Sequence, residues 1–151
     1  MIRKVLRCRS FNREDESFIF EEIFKNFKDL CTNKNGLCVI KQIVELTKLE
    51  KNHRRIIHDI QVDLLELVSD PFGNYAISEI VQKWNPQTLQ PIFTQLKNKI
   101  AELSIQKFSS PVIEHCLKHA DEKTRSQFII EISESARLHT LVSHNFGNYV
   151  I

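Results

Sequence analysis

Apolar residues along this chain fall three and four apart, in blocks that return at a nearly constant interval. Residues 35–41 read NGLCVIK, 72–78 read FGNYAIS, 108–114 read FSSPVIE and 146–151 read FGNYVI. Taking Gly36, Gly73, Ser109 and Gly147 as anchors, the intervals are 37, 36 and 38 residues. Before each anchor, at offsets −9, −6 and −5, stand Phe27, Leu30 and Cys31; Leu64, Leu67 and Val68; Ile100, Leu103 and Ser104; Leu138, Leu141 and Val142. After it, at +3, +4, +7 and +8, stand Val39, Ile40, Ile43 and Val44; Ala76, Ile77, Ile80 and Val81; Val112, Ile113, Cys116 and Leu117; Val150 and Ile151 begin a fourth set. Each spacing lays its apolar residues on one stripe of a helix. The anchor between the two helices marks a tight turn, and a helix N-cap is expected beside it.

A third helix is predicted about twenty residues after each anchor, at Ile56, Ile57 and Ile60, at Ile92, Phe93 and Leu96, and at Phe128, Ile129 and Ile132. Pro86 and Pro91 are expected to frame the entrance to the second of these. Residues 17–23, SFIFEEI, match 126–132, SQFIIEI, so the chain opens on the third helix of a further unit. A period in this range defines an all-α solenoid whose units bury their apolar faces only against their neighbours. The expected units are a partial repeat or flank at 1–26, repeats at 27–63, 64–99 and 100–137, and a partial repeat at 138–151, all in one solenoid domain. Neither end carries a polar cap, so a segment of a longer array is expected.

Composition changes this picture little. The formal net charge is +2, so bulk charge does not announce a nucleic-acid binder and any basic surface must come from distribution. No apolar run approaches the roughly 18 residues that a membrane span needs. Residues 1–10 carry four basic side chains but not the apolar block of a secretory signal. Cys8, Cys31, Cys38 and Cys116 show no CxxC spacing, and Cys31 and Cys116 lie on apolar stripes. Buried free thiols in a reducing compartment, cytosol or nucleus, are the expectation. The basic run from Lys51 to Arg55 lies on a third helix and reads as a solvated face. Glu114, His115 and His119 share part of a helix, but no second cluster with ligand spacing accompanies them, so no metal or other cofactor is expected. No nucleophile elbow, phosphate loop or HExxH motif occurs, and no enzyme is expected.

The core leaves offsets +1, +2 and +5 unclaimed. Offsets +1 and +5 are one turn apart and share a face, with +2 beside them. They hold Leu37, Cys38 and Lys41; Asn74, Tyr75 and Ser78; Ser110, Pro111 and Glu114; Asn148 and Tyr149. Constant core positions beside varied polar ones suit a scaffold that reads different letters.

The phrases FGNYAIS and FGNYVI resemble the repeat core of the Pumilio (PUF) family, and KFSSPVIEHCL at 107–117 is similar to its penultimate repeat. The resemblance spans roughly residues 17 to 151. It implies a right-handed crescent of roughly 36-residue, three-helix repeats that binds single-stranded RNA on its concave face, one base per repeat. Carried over, the +1 and +5 residues contact the Watson–Crick edge and +2 stacks. Ser110 with Glu114 then fits guanine, since a carboxylate can accept from both N–H groups of that edge. Asn74 and Asn148 keep half of a uracil-reading pair, although Ser78 is shorter than the Gln that the family pattern has at +5. Tyr75 and Tyr149 supply stacking planes, and Pro111 is a small one. Leu37, Cys38 and Lys41 match no base-reading set; that layer is expected either to touch phosphate through Lys41 or to skip a base.

The resemblance further implies a UGU core in mRNA 3′ untranslated regions as partner, with deadenylase or translational repressor proteins recruited alongside. Post-transcriptional control of mRNA translation or stability in the cytoplasm follows. Two rivals stand: a nucleolar Pumilio-like ribosome-assembly factor, and a protein-interaction solenoid of HEAT or armadillo type. The latter shares the helix stacking but does not need varied polar triplets flanked by aromatics.

Overall fold

The computed structural model describes residues 13–47 and 50–151, and every regular element among them is helical. Cys8 and the basic residues of 1–10 lie outside the described part. A leading helix, α1 (Arg13–Lys25), occupies the third-helix position of the unit that opens the chain. The first full layer is α2 (Phe27–Cys31), α3 (Lys34–Leu46) and the first part of α4 (Glu50–Ser69). Helix α4 runs on across a break at Asp63, where φ is −122° and ψ is 18°, into the first helix of the second layer. That layer continues with α5 (Gly73–Lys83) and α6 (Pro86–Leu96). The third comprises α7 (Ile100–Leu103), α8 (Ser110–His119) and α9 (Glu122–Glu134); α10 (Leu138–Ser143) and a 3-10 turn at Gly147–Tyr149 begin the fourth. The molecule is therefore an all-α solenoid. No helix of the described part is long and apolar enough to cross a membrane.

Layers stack through like helices. The middle helices α3, α5 and α8 and the final 3-10 turn pack in succession, and α4 packs on α6 along the opposite side. Phe93 of α6 meets Phe128 of α9 edge to face, with ring centroids 6.1 Å apart. The predicted stripes fill this core. Ile40, Ile77, Ile80, Val81, Val112 and Ile113 are wholly buried, as are Ile56, Ile60, Ile92 and Leu96. Leu30, Val39, Leu117 and Leu138 are only half-buried, and three expected core residues are exposed. Ile129 is 52% exposed, and Val142 and Ile151, on the last layers of the chain, are exposed too.

The joint between first and second helix explains the anchor. A Cβ added at Gly73 would lie 2.6 Å from the carbonyl oxygen of Leu67, and one at Gly147 would lie 2.6 Å from that of Leu141. At Gly36 the same obstacle is Leu30. The backbones touch, so a side chain is excluded. Where the anchor is Ser109, its hydroxyl donates to Leu103 O at 2.7 Å, which turns the close approach into a hydrogen bond.

The caps differ from the expectation. The capping acceptor stands three residues ahead of the anchor, because the chain must be turned before the second helix begins. Asn33 Oδ1 accepts from Asn35 N and Gly36 N at 2.8 and 3.1 Å. Asp70 Oδ1 accepts from Phe72 N and Gly73 N at 2.8 and 2.7 Å. In the fourth layer His144 Nδ1 takes the N–H of Phe146 at 3.3 Å. Pro91 also departs: it sits inside α6 rather than at its entrance, which Asn85 caps and Pro86 opens. After α6, Asn98 adopts a left-handed φ of 66°, a conformation Asn tolerates better than most residues. Glu131 of α9 then accepts from Asn98 N and Ile100 N at 2.8 and 2.7 Å, capping α7 from the third helix of the same layer.

Replacing Ile77 by Ala should cost about 2–5 kcal/mol through the cavity left. Gly73→Ala should cost about 1–3 kcal/mol by overpacking against a backbone that cannot yield cheaply. Ile129→Ala, at an exposed site, should cost under about 1 kcal/mol. Urea denaturation of the three variants orders these sites; equal losses would contradict the packing described.

Candidate nucleic-acid interface

The middle helices begin immediately after the anchor, so offsets +1, +2 and +5 emerge along one ladder as α3, α5 and α8 stack. The second-layer Tyr75 and fourth-layer Tyr149 are 55% and 73% exposed, large aromatic side chains left in solvent at the same offset two layers apart. Between them Pro111 is exposed at the start of α8, and Cys38 is half-buried in the first layer. The +2 positions thus form the outermost row.

Flanking residues are more enclosed than their polarity suggests. Asn74 is only 3% exposed. Its Nδ2 donates to Asp70 O at 2.8 Å and Pro71 O at 3.0 Å, closing the loop ahead of α5. Both amide protons are committed, and the group left to offer a ligand is the carbonyl oxygen. Ser78 and Ser110 are buried as well, whereas Asn148 is exposed. Leu37 packs half-buried against the core. Glu114 is partly exposed and accepts a hydrogen bond from Lys118, one turn further along α8.

Glu79, Gln82 and Lys118, which touch residues of this row, escaped sequence reasoning. Lys41 reaches across to the second layer, with Nζ 3.6 Å from Glu79 Oε2 and 5.8 Å from the centre of the Tyr75 ring. Gln82 donates to Ser78 O at 3.0 Å and lies 3.4 Å from His115 Nε2 of the third layer. Burial lowers the His115 pKa, outweighing the opposing pull of Glu114. Lys118 is the third. All three sit at +6 or +9, one helical turn beyond the reading positions +2 and +5, and a search extended by one turn would have found them. The row at −3 (Asn33, Asp70, Gln106 and His144) was equally visible as a polar residue recurring in register.

Away from this face, the basic run on α4 is solvated. Arg54 pairs with Glu50 at 2.6 Å and Arg55 with Asp59 at 3.4 Å. His53, within the same run, turns inward. Its ring stacks on Trp84 with centroids 4.2 Å apart and its Nε2 bonds Thr47 O at 3.0 Å, while Trp84 Nε1 donates to Val44 O at 3.3 Å. Layers one and two are pinned together there.

Helical triplets in register, a small anchor against the preceding helix, and a ladder of varied side chains along stacked middle helices define an α-solenoid with a repetitive recognition face. The Pumilio-family RNA-binding repeat matches this chain at residues 26–60, 63–97 and 99–133. The chain belongs to the Pumilio family. It is 32% identical to putative pumilio homolog 7 of Arabidopsis thaliana over 100% of this chain and 23% of that protein. It is also 32% identical to a Pumilio domain-containing protein of Schizosaccharomyces pombe, over 100% of this chain and 22% of the relative. The chain thus spans about a quarter of the length of the curated relatives it matches. Among solved structures, the Puf4 RNA-binding domain bound to the HO endonuclease RNA 3′ UTR recognition sequence superposes with a TM-score of 0.88 at 20% identity, covering 99% of this chain and 45% of that one.

Thiol chemistry gives a direct check on how the face is exposed. Burial pushes Cys31 and Cys116 up to about 12, with the negative charge of Asp70 adding to the effect at Cys31. Cys38 is a free thiol on the partly exposed ladder. Maleimide at neutral pH should label Cys38 in the native protein and reach Cys31 and Cys116 only in denaturant, as read by peptide mass mapping.

Proposed function

We propose that this chain binds single-stranded RNA, sequence-specifically, along the ladder of α3, α5, α8 and the terminal 3-10 turn. The observation that carries the reading is the pair of exposed tyrosines, Tyr75 and Tyr149, held at one offset two layers apart beside buried Ala76 and Val150. A protein seldom leaves such rings in solvent in register, and nucleobases are the ligands whose faces match them. Each ring contributes stacking; the residues beside it supply selectivity. Glu114 offers paired acceptors beside Ser110, which suits the two N–H donors of guanine. Asn74, with its amide protons used, offers an acceptor that suits the N3–H of uracil. Asn148 occupies the same offset in the fourth layer. Tyr149 and Asn148, Pro111 with Ser110 and Glu114, and Tyr75 with Asn74 and Ser78 then correspond to U, G and U.

The target in this reading is a UGU element in an mRNA 3′ untranslated region. The protein acts in the cytoplasm on mRNA translation or stability, with deadenylase or repressor proteins as partners. Support comes from membership of an RNA-binding repeat family and from the chemistry of the ladder.

Tyr75→Ala should weaken binding by about 1–3 kcal/mol whatever the sequence, because stacking ignores base identity. Affinity unchanged after both Tyr75 and Tyr149 are replaced would move the site elsewhere and favour a protein-binding face. Ser110→Asn combined with Glu114→Gln should switch the second base of UGU from guanine to uracil, by about 1–3 kcal/mol on the scale of DNA readout. Competition with RNAs differing only at that base measures it, and retention of guanine preference would refute the assignment.

A further inference from the structure

We propose that the first layer, built on Leu37, Cys38 and Lys41, admits a nucleotide without selecting its base, because Glu79 and Tyr75 of the second layer hold Lys41. The inference rests on the RNA-binding reading above and concerns what one layer of that face does. Selecting a base needs a fixed pattern of donors and acceptors opposite its edge. Leu37, packed half-buried on the core, presents only carbon. Lys41 has three donors and no acceptor, so it cannot meet the ring N–H of uracil or guanine.

Its ammonium is already engaged across the layer boundary. Glu79 Oε2 lies 3.6 Å away and the Tyr75 ring centre 5.8 Å away, in the space between the two layers. The carboxylate neutralises the charge that would otherwise reach for a phosphate, which disfavours the phosphate alternative. Donating to a base would mean leaving both partners. Acceptors for a lone ammonium occur on the edge of every base, so even a released Lys41 would discriminate poorly. Cys38 in the stacking row offers no ring, so the nucleotide keeps only the Tyr75 side of its slot. The third layer differs in chemistry, with Ser110 and Glu114 at the same offsets supplying hydroxyl and carboxylate oxygens that can accept from a base even with Lys118 paired to Glu114.

The test is fluorescence titration of the whole chain with four RNAs that carry U-G-U followed by each of the four bases. The expected result is four dissociation constants within about threefold of one another. A preference of tenfold or more for one base overturns the inference and leaves RNA binding intact; no binding to any of the four overturns both. Leu37→Asn with Lys41→Gln should confer a preference for uracil at that position of about fivefold or more, the low end of what one discriminated base is worth. Binding retained without any gained preference would mean that Lys41 is not what blinds the layer. Circular dichroism checks folding, and if Leu37→Asn unfolds the chain, Lys41→Gln alone is read in the same way.

Discussion

The close approach of each anchor to the leucine six residues before it governs the rest of the architecture. Leu30, Leu67, Leu103 and Leu141 each place a backbone carbonyl where an ordinary Cβ at the anchor would collide or need a partner. Only Gly, or a Ser that can donate to that carbonyl, allows the middle helix to start so near the end of the first. Its starting point and direction follow from this contact. Because the contact repeats, the middle helices stack in register, and a ladder of side chains emerges on one surface. At −3, Asn33, Asp70 and His144 complete the joint by taking N–H groups that the turn would leave without partners, while Gln106 accepts the Ser109 hydroxyl.

Lateral contacts then decide how rigid the ladder is. Apolar burial between layers is continuous, from Ile40 and Ile43 through Ile77 and Ile80 to Val112 and Ile113. Polar ties cross the boundaries at specific points. Lys28 bridges Asp63 and Glu66 at 2.8 and 2.7 Å, Gln95 donates to Gln61 O at 2.9 Å, and Gln90 donates to Thr124 and Asp121. Exposed pairs such as these contribute little stability singly. Their effect is geometric as well, since they tie each layer to the next at defined points.

On the ladder itself, charge is mostly spent within the protein. Lys41 faces Glu79, and Glu114 faces Lys118. A face of this kind does not attract RNA by bulk positive potential, in keeping with a net charge of only +2. Under the RNA-binding reading proposed above, stacking and hydrogen-bond matching carry recognition and long-range steering contributes little.

The helical stripes, the period and the aromatic row were legible in the sequence because they are local. A buried helix face needs apolar residues three and four apart, and a repeated unit needs them again one period later. Membership of the Pumilio family was legible for the same reason: its phrases recur in register. What the sequence left open depended on which side chains meet across layers. The enclosure of Asn74 follows from the loop carbonyls of Asp70 and Pro71 folding over it, and the capture of Lys41 follows from Glu79 arriving thirty-eight positions later on a neighbouring helix. Ile129 is exposed although its spacing matches that of buried Phe93. Periodicity reports which face of a helix is apolar; only packing decides what covers that face, and whether a polar residue is free to bind or already bound.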